Sequence, residues 1–92
     1  MFDPLLHQSI RSKLISFLIA NEELPFRALK EMLDVTDGNL SSHLTKLEKG
    51  GYVKIEKSFE GKRPKTTIHI TDEGVGAFKK YIDELRVFVQ EN

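Results

Sequence analysis

The stretch TDGNLSSHLTKLEKGG, residues 36–51, decides how the chain is read. Leu40, Leu44 and Leu47 recur at i, i+4 and i+7, which stacks them on one stripe of a helix predicted over about 37–50. Opposite the leucines lie Gly38, Ser42, Thr45, Lys46 and Lys49, with Asn39, Ser41 and His43 on the flanks. None of the opposite side chains is bulky or acidic. A face of this kind suits the major groove of DNA, because Asn, Ser, Thr, His and Lys offer donors and acceptors to base edges and phosphates without repelling the backbone. It equally suits an ordinary solvated helix, so the neighbouring elements have to separate the two.

Upstream, Asp3-Pro4 reads as a helix start, and Leu6, Ile10, Leu14, Phe17 and Leu18 then form an apolar stripe ending near Ala20-Asn21. Ile15 and Ile19 widen that stripe enough to touch two surfaces. Glu22-Glu23-Leu24-Pro25 interrupts it, and a short second helix with Phe26, Leu29, Met32 and Leu33 runs to Leu33-Asp34. Thr36 is the expected N-cap of the third helix. A short helix, a tight turn and a polar-faced helix make the helix-turn-helix arrangement, which many all-helical domains also satisfy.

Downstream the period changes. Gly50-Gly51 ends the third helix, one of the two being free to turn left-handed. Val53 and Ile55 alternate with Lys54 and Glu56, and Ile68 and Ile70 alternate with Thr67 and His69, so two half-buried strands are predicted within about 52–70. Gly61 supplies the turn between them, Pro64 stiffens its exit, and Lys62, Arg63 and Lys65 give the hairpin a basic tip. Basic residues also protect edge strands from pairing with other chains. Thr71 caps a last helix over about 72–90, in which Val75, Phe78, Ile82, Leu85 and Val89 form a heptad seam flanked by Tyr81 and Phe88. That seam either folds back on the first helix or meets the same helix of a second copy. Leu6, Ile10 and Phe17 are the first-helix residues that share such an interface.

Composition excludes several chemistries. The 92 residues contain no Cys, and His7, His43 and His69 fall in three different elements, so neither thiol catalysis nor a metal site is expected. No carboxylate pair flanks a His and no glycine-rich loop joins a strand to a helix, so no catalytic residues and no cofactor are expected. Net charge is formally zero, but Val53 to Lys65 carries five basic residues against two acidic, whereas the chain from Thr71 onward carries three basic against five acidic. Any binding of nucleic acid therefore rests on a local patch. No apolar run reaches ~20 residues and no leader is evident after Met1, so a cytoplasmic protein without membrane contact is expected. A chain this small buries only about 60–65% of its unfolded surface, and a partner subunit adds useful burial.

Helix, helix, helix, hairpin with basic tip, helix is the order of a winged helix-turn-helix: mainly α, with a three-helix core, a two-stranded wing and a C-terminal dimerisation helix, spanning 1–92 as one domain. The runs 35–44 (VTDGNLSSHL) and 47–53 (LEKGGYV), then Lys57, Phe59, Gly61, Pro64 and Thr66, and Ile70-Thr71-Asp72-Glu73-Gly74 resemble small winged-helix transcriptional regulators related to the MarR and ArsR groups. Leu5-Leu6-His7 with Arg11 resembles the start of those domains. The resemblance implies a dimeric regulator of double-stranded DNA, with the third helix in the major groove and the wing on the backbone or minor groove. By position it implies helix contacts from Asn39, Ser41, Ser42, His43 and Lys46, and wing contacts from Lys62, Arg63 and Lys65. Thr36 at the helix start and Lys54 and Lys57 on the strand add phosphate contacts in this reading. The absence of Cys departs from metal-sensing relatives. A protein-interaction module of the same fold is the competing reading. An unidentified small-molecule effector has its expected place between the first and last helices, in a cleft lined by Phe17, Phe78, Tyr81 and Phe88.

Overall fold

A computed structural model describes residues 1–91. The elements are α1 (Ser9–Asn21), β1 (Glu23–Pro25), α2 (Phe26–Leu33), α3 (Asp37–Lys49), β2 (Val53–Glu60), β3 (Arg63–Ile70) and α4 (Asp72–Glu91). The core is built mainly from leucines: Leu6, Leu14, Leu18, Leu29, Leu40 and Leu47, with Ile15 and Ile68, are fully buried. Each such side chain contributes about 1.5–3 kcal/mol relative to exposure. All three leucines of the α3 stripe belong to this core, which holds the opposite face of α3 outward.

Three local expectations change. First, α1 begins at Ser9, after a turn, rather than at Asp3-Pro4. Asp3 caps that turn instead: its Oδ1 accepts the Leu5 amide at 2.9 Å, and its carbonyl accepts the amides of Leu6 and His7. Gln8 is the helix cap, its side chain accepting the Arg11 amide at 2.8 Å. Second, the interruption before α2 forms a strand. Residues 23–25 pair antiparallel with β3 in the order β1-β3-β2, so the sheet is three-stranded and its third strand was not legible as one. Three residues ending in proline are too short to show alternation. Third, the hairpin strands run further than their alternation suggested, with Glu60 opposite Arg63 and only Gly61-Lys62 between them. Gly61 takes φ +65, as a two-residue hairpin turn requires.

The last helix packs with Gly74 and Tyr81 innermost, and Phe78, Ile82 and Leu85 of the heptad seam reach the core of the same subunit from beside that line. Those three are half-buried, and Val89 is 68% exposed. Two residues expected at a subunit interface are therefore spent inside one subunit: Leu6 is fully buried and Tyr81 nearly so. A helix on a small core uses whichever stripe its entry angle presents, and Thr71 sets that angle. Its hydroxyl accepts the Gly74 amide at 3.0 Å and donates to the Gly51 carbonyl at 2.7 Å, seating the start of α4 on the loop after α3. Met32, expected in the apolar stripe of α2, is largely exposed.

Candidate nucleic-acid interface

The link from α2 to α3 is fixed by backbone chemistry. Asp34 takes a left-handed conformation, φ 54, and ends α2, its amide reaching back to the Glu31 carbonyl. Thr36 is extended and caps α3, its hydroxyl oxygen accepting the Asn39 amide at 3.1 Å. Lys30 of α2 and Asp37 in the first turn of α3 form an ion pair at 2.7 Å. Both are substantially exposed, so the pair adds little stability. Its effect is to offset the one acidic charge at the start of α3.

Asn39, Ser41, Ser42, Thr45 and Lys46 are exposed along α3, as the leucine stripe demands. His43 is half-buried, and its environment differs from the expectation of a simple surface contact. Arg11 Nη1 lies 3.1 Å from His43 Nδ1, while Arg11 Nε donates to the Leu5 carbonyl at 2.6 Å. Burial, then the nearby charges of Arg11 and Lys46, lower the His43 pKa from its ordinary 6.5. Arg11 is the residue that the sequence reading left without a role. It stands 32 positions from His43, and no local pattern signals such a pair.

Strand alternation sorts the basic residues of the wing. Ile55, Lys57 and Phe59 share one face with their partners Ile68, Thr66 and Pro64; Lys54, Glu56 and Ser58 share the other with His69, Thr67 and Lys65. The first face is the one toward α3, because Ile55, Lys57 and Thr66 line an open groove of about 770 Å³ with Ser41, Leu44 and Thr45. Lys57 is thus brought together with α3. Lys54 is not: it stands on the opposite face, beside the Glu56–His69 pair at 3.4 Å. At the tip, Lys65 pairs with Glu60 at 3.4 Å, while among the described residues no carboxylate pairs with Lys62 or Arg63. Phe59 stands 75% exposed opposite Pro64 on the α3 face.

At the other end of the molecule, ring contacts join Phe2 to His7, Tyr81 and Phe88, and Phe78 to Tyr81. Phe17, expected to line a cleft with Phe78, Tyr81 and Phe88, packs against the leucine core and is not part of this set. Phe2 takes its place. No group of His, Cys, Asp and Glu among the described residues is arranged to hold a metal ion, and no helix among them is long and apolar enough to cross a membrane.

Comparison with known proteins matches residues 10–89 to a family described as a winged helix DNA-binding domain. An uncharacterized protein of Methanocaldococcus jannaschii is 47% identical over 76 residues, 83% of each chain. A solved transcriptional regulator homologue from Pyrococcus horikoshii is 33% identical, covers 95% of this chain and 86% of its own, and superposes with a TM-score of 0.89. A MarR-family transcriptional regulator from Silicibacter pomeroyi shares the fold at 20% identity and a TM-score of 0.71, over 90% of this chain and 55% of its own.

Proposed function

The chain belongs to the winged helix DNA-binding domain family, and on that premise we propose that it is a sequence-specific transcriptional regulator that binds double-stranded DNA as a homodimer. The observation that carries the reading is the shared opening between α3 and the wing. Ser41 and Thr45 of α3 line the same groove as Lys57 of β2, with Glu48 also on its wall; Asn39, Ser42 and Lys46 are exposed further round α3, and Lys62 and Arg63 stand at the tip. In this reading α3 enters the major groove, Asn39, Ser42 and Lys46 meet base edges, and Lys57 neutralises the phosphate strand that passes between helix and wing. Lys62 and Arg63 reach the backbone or the adjacent minor groove, where a narrow groove attracts arginine. Thr36 adds its cap to the phosphate contacts at the helix start. The fold's likeness to transcriptional regulators rather than enzymes supports the same conclusion.

The dimer rests on α4. Val87, Phe88 and Val89 expose apolar surface near its end, and Ile82, Leu85 and Val89 flank a shallow apolar hollow. Ile10, Phe17, Val75 and Phe78 are half-buried and leave area for a second copy. A two-fold pair presents its α3 helices about 34 Å apart. Selection of the protein against a random duplex pool tests the reading: enrichment of an inverted repeat with half-sites about one helical turn apart is expected. A pool that stays random overturns it in favour of a protein-interaction module.

A further inference from the structure

The turn at residues 4–8, which replaces the expected first helical turn, leaves backbone carbonyls without helical partners, and Arg11 uses them. Its Nε donates to Leu5 O at 2.6 Å and its Nη2 to Pro4 O at 3.4 Å. Two bonds on one planar guanidinium fix its orientation, so the third, Nη1 to His43 Nδ1 at 3.1 Å, is aimed rather than incidental. Arg has only donors. The Nδ1 facing it must therefore supply a lone pair, and the single proton of the neutral ring sits on Nε2, the nitrogen away from Arg11.

We propose that Arg11 is a positioning residue that holds His43 as a neutral Nε2–H donor on α3, making this ring a reader of hydrogen-bond acceptors in DNA. The inference rests on the DNA-binding reading above. Protonation of the ring would turn Nδ1–H against Nη1–H and set two cations side by side, with Lys46 a third on the same helix one turn away. Burial acts in the same direction. A donor-only Nε2 suits guanine O6, purine N7, thymine O4 and phosphate, and it is refused by the amino groups of cytosine N4 and adenine N6. The local turn at residues 4–8 thereby sets a chemical preference on a helix more than thirty residues away.

The test has two arms. Long-range proton–nitrogen correlation on the free, imidazole-labelled protein, with His43→Gln used for assignment, is expected to show the His43 proton on Nε2. In Arg11→Met, which keeps the apolar stem, the His43 titration is expected to move to higher pH. A proton on Nδ1 in the parent protein, or an unchanged titration in Arg11→Met, overturns the proposal. Should Arg11→Met fail to fold by circular dichroism, Arg11→Gln replaces it and carries the same arm, since a neutral amide removes the charge that opposes protonation of His43. In the second arm, binding to the selected duplex is measured between about pH 6 and 8. The parent protein is expected to vary less with pH than Arg11→Met, which gains several-fold affinity toward acid, and His43→Gln, whose amide both donates and accepts, is expected to relax discrimination against cytosine at one position by about three- to tenfold. Equal base preference in parent and His43→Gln overturns the reading role. A pool that never enriches any sequence overturns the DNA-binding reading instead, and leaves the tautomer arm to stand or fall on its own.

Discussion

The carbonyl of Tyr52 occupies the space where Gly74 would carry a side chain: a Cβ on Gly74 collides with the Tyr52 oxygen and meets Ile70 Cδ1 at 3.0 Å. The first turn of α4 therefore approaches the loop after α3 as closely as a backbone allows. Gly74→Ala is expected to lower stability by about 1–3 kcal/mol, because the obstructing atom is backbone and cannot swing aside. Gly76, two residues on in the same helix, has nothing within 4 Å of such a Cβ. Gly76→Ala is expected to raise stability by up to about 1 kcal/mol through helix propensity alone. Urea unfolding of the two variants reads both, and a like sign for both refutes the close-approach account.

Tyr52 also donates its hydroxyl to Asp3 Oδ2, tying the N-terminal turn to the start of the wing. Burial, then that hydrogen bond and the charges of Asp3 and Glu73, push the phenol from 10.0 up to about 12. The neutral phenol is the form the fold holds, so its contribution is complete below the ordinary value and fades as pH rises through about 12. Ultraviolet titration is expected to show a late phenolate transition that Tyr52→Phe removes. A parent protein whose tyrosines all ionise near 10 contradicts the contact.

Thr36→Ala removes the hydroxyl that accepts the Asn39 amide. A loss of about 0.5–2 kcal/mol is expected in thermal or urea unfolding, with Thr36→Ser close to the parent. Equal losses in the two variants would place the effect in the methyl group rather than the cap.

Lys54 and Lys57 are three residues apart and carry the same charge, yet only Lys57 shares a sheet face with the α3 groove. In DNA binding measured against salt concentration, Lys57→Ala is expected to weaken binding to all duplexes and reduce the slope of log K by about 1, with Lys54→Ala leaving the slope unchanged. The reverse result would reverse the assignment of the wing's inner face.

Val89 is 68% exposed on the side of α4 that Ile82 and Leu85 continue. Val89→Glu places a charge at the centre of the proposed subunit contact while touching nothing in the core. Sedimentation is expected to show the parent as a dimer and the variant as a monomer at the same concentration, with an unchanged helical signal. A monomeric parent rules out the contact.

Most of the architecture was legible in local patterns. The leucine stripe of α3, its Thr36 cap, the left-handed Gly51 at φ 81, the Gly61 turn and the Thr71 cap all follow from periods of 3.6 and 2 and from the few residues that suit helix ends and tight turns. Those signals act over three or four positions, which is why they can be read along the chain. Three residues of β1 were not legible because their strand exists only by pairing with β3. The start of α1 misled because Asp3 caps a turn as readily as a helix, and what decides between them is Tyr52, 49 positions on.

The candidate interface divides in the same way. That α3 turns Asn39, Ser41, Ser42 and Lys46 outward follows from the buried leucines and needs no further information. Which wing lysine faces the groove was decided by register, since a single residue of slip would exchange Lys54 and Lys57 between faces. The hold of Arg11 on His43, the ring contact of Phe2 with Tyr81 and the closure of Gly74 on Tyr52 join positions far apart in the chain. The sequence by itself determined the elements and their polar and apolar sides, because backbone geometry repeats at short range. Only the tertiary structure decided which of those sides meet, because contact between distant residues depends on how all the elements share one core.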